Sequence, residues 1–329
     1  LDLQLPAVTG VVFTNRPDLL VWAGAKTGLS RCRRSDGWVL DSASVSAHIF
    51  PSQPLWWTLR EMDEHLYIHG TGEAEQLRLI RQANFLRDLI LDGFVPGPTD
   101  RVLEIGCGVG AVLGQLAKVH PSLRLAGVDI AEAQIRTAQG HLQSFELQAD
   151  LRVADATRLP WPENSFDRVV LVWVVEHLKD SRAVLREALR VLRPGGTIHL
   201  TETDYATLRT SPPDLVVREF LDAFVAHFNR FGDAHAGPRI GPLLEQVGFV
   251  GVANQMRGIH HWCPSGRQGI RSFCNYLLEF MKPEFAALAA QPGADAGRLS
   301  EGLDRFERLA VSDEASISIS TYKGFGRKP

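Results

Sequence analysis

The stretch Val102-Leu103-Glu104-Ile105-Gly106-Cys107-Gly108-Val109-Gly110 sets three glycines at alternate positions behind a short apolar run. Glycines placed so let backbone N–H groups approach a ligand closely at the positive end of the helix that follows. The spacing Gly106-x-Gly108-x-x-Ala111 also satisfies the dinucleotide fingerprint. Alone, the loop therefore suits NAD, another adenosyl cofactor, or a tight turn with no ligand. A second group, Asp129, ends the run Leu125-Ala126-Gly127-Val128 about 20 residues further on, the distance a ribose-binding acid requires. A carboxylate there can accept from both ribose hydroxyls and disfavours a 2′-phosphate, which argues against NADP; the alternative is a simple cap on the next helix. Beyond it, His177 follows a fourth apolar run, and Glu202, Asp204 and Tyr205 follow a fifth. All are side chains that can take a proton or hold an acceptor. For His177 the preferred reading is structural, a histidine capping its loop. His260 and His261 lack a third ligand at metal spacing, and neighbours on a strand point to opposite faces, so no metal site is expected. Cys32, Cys107, Cys263 and Cys274 are scattered without a C-x-x-C pair, which encodes neither a disulfide framework nor a zinc site.

The frame that must hold these groups is an alternation of buried strands and helices. Strands are expected over residues 101–105, 123–128, 151–154, 167–174 and 197–201, with helices over 111–119, 132–145 and 180–192. The near-continuous apolar run at 167–174 marks a central parallel strand covered on both faces. Such alternation implies a doubly wound α/β sheet. An amphipathic helix is expected over 73–93, and later a helix at 215–231 with strands at 248–254 and 316–323. The stretch between those last strands is too long for a structureless loop and reads as a helical insertion. Residues 1–60 mix short β-like pieces with turns and carry Trp22, Trp38, Trp56 and Trp57.

Composition narrows the function. The chain has 329 residues, 45% hydrophobic and 22% charged, which excludes a disordered chain, a collagen-like fibre and a disulfide miniprotein. A formal net charge of -3 gives no basic field for nucleic acid or anionic lipid. No apolar run reaches the ~18 residues that span a bilayer. The first residues show neither the basic nor the apolar region of a secretory leader. A cytoplasmic protein without membrane or nucleic-acid partners is the expectation.

Several motifs then share one likeness. Leu103-Glu104-Ile105-Gly106-Cys107-Gly108-x-Gly110 resembles the first motif of class I S-adenosylmethionine-dependent methyltransferases. Ala154-Asp155-Ala156-Thr157-Arg158-Leu159-Pro160-Trp161-Pro162 with Ser165-Phe166-Asp167 resembles their adenine-side loop and fourth strand. Glu176-His177-Leu178 and Leu192-Arg193-Pro194-Gly195-Gly196 are similar to signatures of the ubiquinone- and menaquinone-biosynthesis subgroup. Upstream, Tyr67-x-x-Gly70-x-Gly72-x-x-Glu75-x-x-Arg78-Leu79 looks like the helix that small-molecule members lay over the cofactor.

The resemblance implies a Rossmann-like seven-stranded sheet with an antiparallel last strand. It divides the chain into an N-terminal extension at 1–66, acting as lid or dimer contact, a methyltransferase core at 67–261 and 313–329, and a helical cap at 262–312. It implies S-adenosylmethionine as cofactor, with Gly106, Cys107 and Gly108 at the methionine moiety, and Asp129 with Ile130 at the ribose. Asp155 and Ala156 would meet the adenine, Val172 and Trp173 the methionine end, and Tyr67 the cofactor carboxylate. Glu104 would either fix the glycine-loop amides or hold the cofactor amine through water. The implied reaction moves a methyl group to an O, N or C atom of a small apolar or aromatic metabolite, with His177, Asp204 and Tyr205 as catalytic candidates and a homodimer as the larger assembly. Rival readings are a nucleic-acid methyltransferase, which lacks its Asn/Asp-Pro-Pro-Tyr/Phe or Pro-Cys signature here, a NAD-dependent oxidoreductase, and a cofactor-binding scaffold without activity.

Overall fold

Val102 and Leu103 are neighbours in sequence, both fully buried, and belong to different hydrophobic clusters. Alternation of this kind requires a strand covered on both sides. The computed structural model describes Gly70 and residues 72–329, with four two-residue strands nearer the N-terminus. The chain divides into two units, Leu1–Asp63 and Glu64–Pro329. In the first, Val11–Val12 pairs antiparallel with Val21–Trp22, and Arg33–Arg34 with Gly37–Trp38. The lid or dimer role expected of residues 1–66, and Tyr67, lie outside the described residues.

The second unit opens with helices α1 (Glu73–Phe85) and α2 (Arg87–Leu91). Strands β1 (Arg101–Ile105), β2 (Arg124–Asp129), β3 (Ala149–Val153) and β4 (Phe166–Val172) alternate with helices α3 (Ala111–Val119) and α4 (Glu132–Gln143). Helix α5 (Ser181–Val191) leads into β5 (Leu192–Ser211), then α6 (Leu215–Phe228) and α7 (Ala236–Val247). Strand β6 (Val250–Trp262), helices α8 (Arg267–Met281), α9 (Phe285–Ala289) and α10 (Ala296–Arg308), and β7 (Ser316–Arg327) complete it. The sheet runs β6-β7-β5-β4-β1-β2-β3. Strands β1 to β5 are parallel, and β7 lies antiparallel to β5 and β6. This is the doubly wound, seven-stranded sheet with an antiparallel last strand that the motif order implies.

On one face Leu103, Ile105, Val169 and Leu171 pack against Val184, Leu185 and Ala188 of α5 and Ile240 and Leu244 of α7. On the other, Val102, Leu125 and Val170 meet Leu113 and Leu116 of α3 and Ile135 and Leu142 of α4, with Ala83 and Ile90 from the first two helices. A third cluster sits apart from these layers. It joins Tyr205 and Leu208 of β5 and Ile317 and Ile319 of β7 to Phe220, Phe224 and Phe228 of α6, Phe273 and Phe280 of α8, and Phe306 of α10.

Three local expectations need correction. Strand β5 does not stop at residue 201 but continues to Ser211, paired with β7 on either side of an irregularity at residues 205–208. Glu202, Asp204 and Tyr205 are therefore strand residues and not loop residues. Thr201, Glu202, Thr203 and Tyr205 are all buried, so polar and charged side chains on covered positions disguised the strand. Strand β6 likewise runs past residue 254 to Trp262, so His260 and His261 lie within it. As an edge strand it tolerates the exposed polar residues that masked it. Finally, α1 turns a polar stripe inward: Glu75, Arg78 and Gln82 are buried while Leu77 and Phe85 are exposed. Arg78 Nε and Nη2 donate to Glu75 at 2.6 and 2.7 Å, and Nη1 donates to Gln82 Oε1 at 2.7 Å, so the buried charge is matched.

Candidate functional site

The C-terminal ends of β1 to β4 gather most of the residues singled out by sequence, at the crevice where doubly wound sheets bind ligands. After β1, Gly106 and Cys107 both donate their N–H to Val128 O on β2, at 2.8 and 2.9 Å. Gly106, Gly108 and Gly110 all take positive φ, at 70°, 48° and 69°, a region that favours glycine. Gly106 also has no room for a side chain, because a Cβ there would fall 2.7 Å from Val174 Cγ2. Gly110 closes the loop as the residue preceding α3.

Asp129 ties this loop to β2. Its Oδ2 accepts from Gly108 N and its Oδ1 from Ala131 N, both at 2.9 Å. The acid thus braces the glycine loop and the start of α4 together, so capping is part of its role. Burial raises its pKa, opposed by the Ala131 and Gly108 amides. The neighbouring Ile130 is 68% exposed, an apolar side chain left open beside the acid. At the end of β3, Ala154 N donates to Asp129 O at 3.0 Å, which brings Asp155 next to the same edge. Asp155 is exposed, and its Oδ1 accepts from Thr157 N at 2.8 Å in an Asx turn, with Ala156 between them.

Beneath the loop, Glu104 is buried and its Oε2 has no partner among the described residues. Burial pushes its carboxyl well above the usual range, with the Leu113 amide opposing and Asp129 adding to the rise. Cys107 is buried beside it, and burial likewise raises its thiol, so it behaves as a packing residue rather than a nucleophile.

Past β4 the chain turns sharply. Val172 ends the strand, and Trp173 takes a φ of 51°, uncommon for a bulky residue and costing on the order of 1–3 kcal/mol. Its indole Nε1 donates to Thr203 Oγ1 at 2.9 Å, and its backbone N to Thr201 O at 2.8 Å. His177 lies in the 3₁₀ turn Val175–His177, with Nε2 at 3.4 Å from Glu176 Oε1. Burial, aided by the Arg78 guanidinium, lowers its pKa to about 4. Tyr205 donates to Glu176 Oε1 at 3.3 Å, and its ring stacks on Phe280 with centroids 5.4 Å apart. Asp204 Oδ1 lies 3.1 Å from His235 Nδ1 and accepts from Ala206 N at 3.3 Å. His177 and Tyr205 therefore meet on one buried carboxyl, Glu176, whereas Asp204 is engaged elsewhere. His260 stacks on Trp262 and His261 against Phe273, apart from this group.

Glu176 was not picked out by sequence as a site residue, nor was Arg78, whose guanidinium lies over the Phe280 ring at 5.7 Å. A signal existed for Arg78: Glu75, Arg78 and Gln82 fall on one helical stripe, a spacing that lets their side chains meet. A cavity of about 330 Å³ also opens beside the turn, lined by Val175, Leu178, residues 179–182, residues 230–233, Arg239 and Leu243. None of the glycine-loop residues, Asp129 or Asp155 borders it, so it is separate from the crevice at the strand ends. Among the described residues no group of three or more His, Cys, Asp or Glu is placed to hold a metal ion, and no helix is long and apolar enough to cross a membrane.

Comparison with known proteins places this geometry. A family model described as a methyltransferase domain matches residues 103–200, which run from β1 into β5. The chain is 33% identical over 183 residues to 27-O-demethylrifamycin SV methyltransferase of Amycolatopsis mediterranei, covering 50% of this chain and 65% of that protein. It is 32% identical over 155 residues to ajmaline N-methyltransferase of Rauvolfia serpentina, covering 46% and 51%. The chain thus spans about half to two-thirds of the length of these curated relatives. Among solved structures, phosphoethanolamine N-methyltransferase 2 of Haemonchus contortus superposes with a TM-score of 0.51 at 17% identity, over 82% of this chain and 59% of that one, and so shares the fold. The motifs lie in order along one sheet, and the methyltransferase-domain match at residues 103–200 lies across them.

Proposed function

We propose that this protein binds S-adenosylmethionine at the ends of β1 to β4 and transfers its methyl group to a small molecule. The observation that carries the reading is the brace of Asp129 on Gly108 and Ala131, which holds an acid and a row of glycine amides on one rigid edge. Each oxygen of Asp129 has taken one amide and keeps further acceptor capacity for a ribose hydroxyl. The open Ile130 side chain offers an apolar shelf for a purine. Asp155 and Ala156 supply the acceptor and donor that an adenine edge needs, while Gly106, Cys107, Gly108, Val172 and Trp173 face the methionine end. The orphaned Glu104 oxygen also suits a cofactor amine, directly or through water.

S-adenosylmethionine, when bound, would supply an electrophilic sulfonium methyl, open to in-line attack by an acceptor O, N or C atom with the thioether sulfur as leaving group. The protein's part is to align the acceptor and exclude water, and such alignment supplies on the order of 7–11 kcal/mol in the best intramolecular cases. A base adds ~10²–10⁴-fold where the acceptor must lose a proton. His177 is neutral at physiological pH and, with a pKa of about 4, a weak base. Tyr205 is tied to Glu176, and Asp204 to His235. Alignment therefore outweighs proton removal in this reading. The aromatic surroundings of Tyr205, with Phe228 and Phe280, favour an apolar or aromatic acceptor. Relatives named as methyltransferases of 27-O-demethylrifamycin SV and of ajmaline support the same class.

The test is transfer of label from methyl-tritiated S-adenosylmethionine into small-molecule extracts, beside calorimetric titration with S-adenosylhomocysteine. Labelled product is expected. Micromolar cofactor binding with no labelled product from any extract would leave a cofactor-binding scaffold instead.

A further inference from the structure

Val174 and Val175 lie just past β4, where the chain enters its 3₁₀ turn. Their two amide N–H groups converge on one atom, Glu202 Oε1, at 2.9 and 2.7 Å. Glu202 stands on β5 and is fully buried at 0% exposure. Its other oxygen, Oε2, has no partner among the described residues. Burying a carboxyl this way is expensive, and a leucine would fill the same space at lower cost. The compensation is specific: two buried amides that would otherwise lack an acceptor, each worth about 1–3 kcal/mol when left unmatched.

The residues flanking Glu202 on β5 extend the grip. Thr201 O takes Trp173 N, and Thr203 Oγ1 takes the Trp173 indole. Three successive residues of β5 thereby hold Trp173, Val174 and Val175. The loop so held is not remote from the glycine loop, since Val174 Cγ2 occupies the space a Gly106 side chain would need, 2.7 Å from its Cβ position. Movement of Val174 would unseat the wall against which Gly106 packs.

We propose that Glu202 is a positioning residue of the cofactor site, fixing residues 173–175 against the glycine loop where the methionine end of the cofactor lies. The assignment rests on the cofactor reading given above. It predicts a selective defect: ligands that carry the amino-acid tail lose affinity, and ligands that stop at the nucleoside do not. Titrations with S-adenosylhomocysteine and with adenosine, run well below the unfolding temperature, separate the two. Glu202→Ala is expected to weaken S-adenosylhomocysteine at least tenfold and adenosine less than threefold. Glu202→Gln keeps a carbonyl acceptor for the two amides and is expected to restore S-adenosylhomocysteine to within threefold of wild type. Should Glu202→Ala not fold, Thr203→Val removes only the acceptor of the Trp173 indole and should show the same selectivity at a threefold to tenfold loss. Equal loss of both ligands, no loss in a folded variant, or failure of Gln to rescue overturns the assignment. A wild-type protein that binds adenosine but not S-adenosylhomocysteine, or neither, overturns the cofactor reading itself and this assignment with it.

Discussion

Asp129 shows how one side chain serves structure and ligand together. Its two amide bonds make it a cap and a loop brace, and in the proposed function its remaining acceptor capacity holds the ribose. Asp129→Ala removes both jobs, yet the strands beneath it are packed by Val128 and Ala126 and do not depend on it. S-adenosylhomocysteine affinity should fall at least tenfold, about 1.4 kcal/mol, with an unchanged circular dichroism spectrum. Unchanged affinity in calorimetry would remove the ribose assignment. His177 is the opposite case. A general base working near neutral pH contributes ~10²–10⁴-fold, and it does so best with a pKa close to the operating pH. Burial and Arg78 hold His177 near 4, far from that optimum. With an acceptor in hand, His177→Ala should therefore lower kcat by less than about tenfold. A fall of a hundredfold or more, with normal cofactor affinity, would restore His177 as the base.

At the scale of elements, what sequence reveals depends on how cleanly burial follows period. Strands β1, β2 and β4 lie between two helical layers, so their runs are largely apolar and their ends can be located to within about one or two residues, ordinary for strand boundaries. The glycine loop and Asp129 are legible for the same reason, because they sit where those runs stop. Strands β5 and β6 project beyond the layers, and there one face meets the aromatic cluster while the other is polar. Charge at Glu202, Asp204 and Arg209 then imitates a loop. The partnership of Glu202 with Val174 and Val175 spans 27 and 28 positions and leaves no local pattern to read. The segment carrying α8 to α10 is legible as helical, but its packing is not, and Gly302 is an instance. In a helix interior glycine normally costs about 0.5–1 kcal/mol relative to alanine, so Gly302→Ala should stabilise. Here a Cβ would fall 2.5 Å from Phe220 Cβ and 2.7 Å from Val216 O on α6. Overpacking against backbone costs about 1–3 kcal/mol and outweighs the propensity gain. Gly302→Ala should thus destabilise, with amide exchange quickening in α6 and α10 but not in β1, β2 or β4. A variant more stable than wild type would show that α10 stands off α6 in solution.

Across the whole molecule, stability should depend on pH through groups whose charge the fold opposes. Burial raises Glu104, Glu176 and Asp129, and raises Glu202 to about 8. A carboxyl with a raised pKa keeps its proton in the folded chain after the unfolded chain has lost it. It therefore subtracts stability as pH climbs from about 4.5 through its folded pKa. His177 and His199 run the other way. Burial lowers them to about 4 and about 3, so they add stability as pH rises from there toward the ordinary histidine value near 6.5. Between about pH 5 and 6.5 the histidines oppose the acids and make the decline shallower. Above that the histidines are neutral in both states and only the acids act, with Glu202 alone giving a slope on the order of 1.4 kcal/mol per pH unit up to about 8. Lys323, lowered by burial to about 8, adds stability only above that value and so does not disturb the window. At the acid end, Asp150, Glu187, Asp214 and Asp222 are held low by arginine partners, and their contribution disappears as pH falls through their folded values. Thermal unfolding of the ligand-free protein should show a decline from about pH 6.5 towards 8 that is steeper than any change between about 5 and 6.5. Glu202→Gln removes one ionisation without removing the acceptor for Val174 and Val175, so its curve should lie above wild type at pH 8 and converge with it near 5. A melting temperature that rises from pH 6.5 to 8, or a Gln variant that parallels wild type throughout, would mean that these buried acids are ionised and compensated in the folded protein.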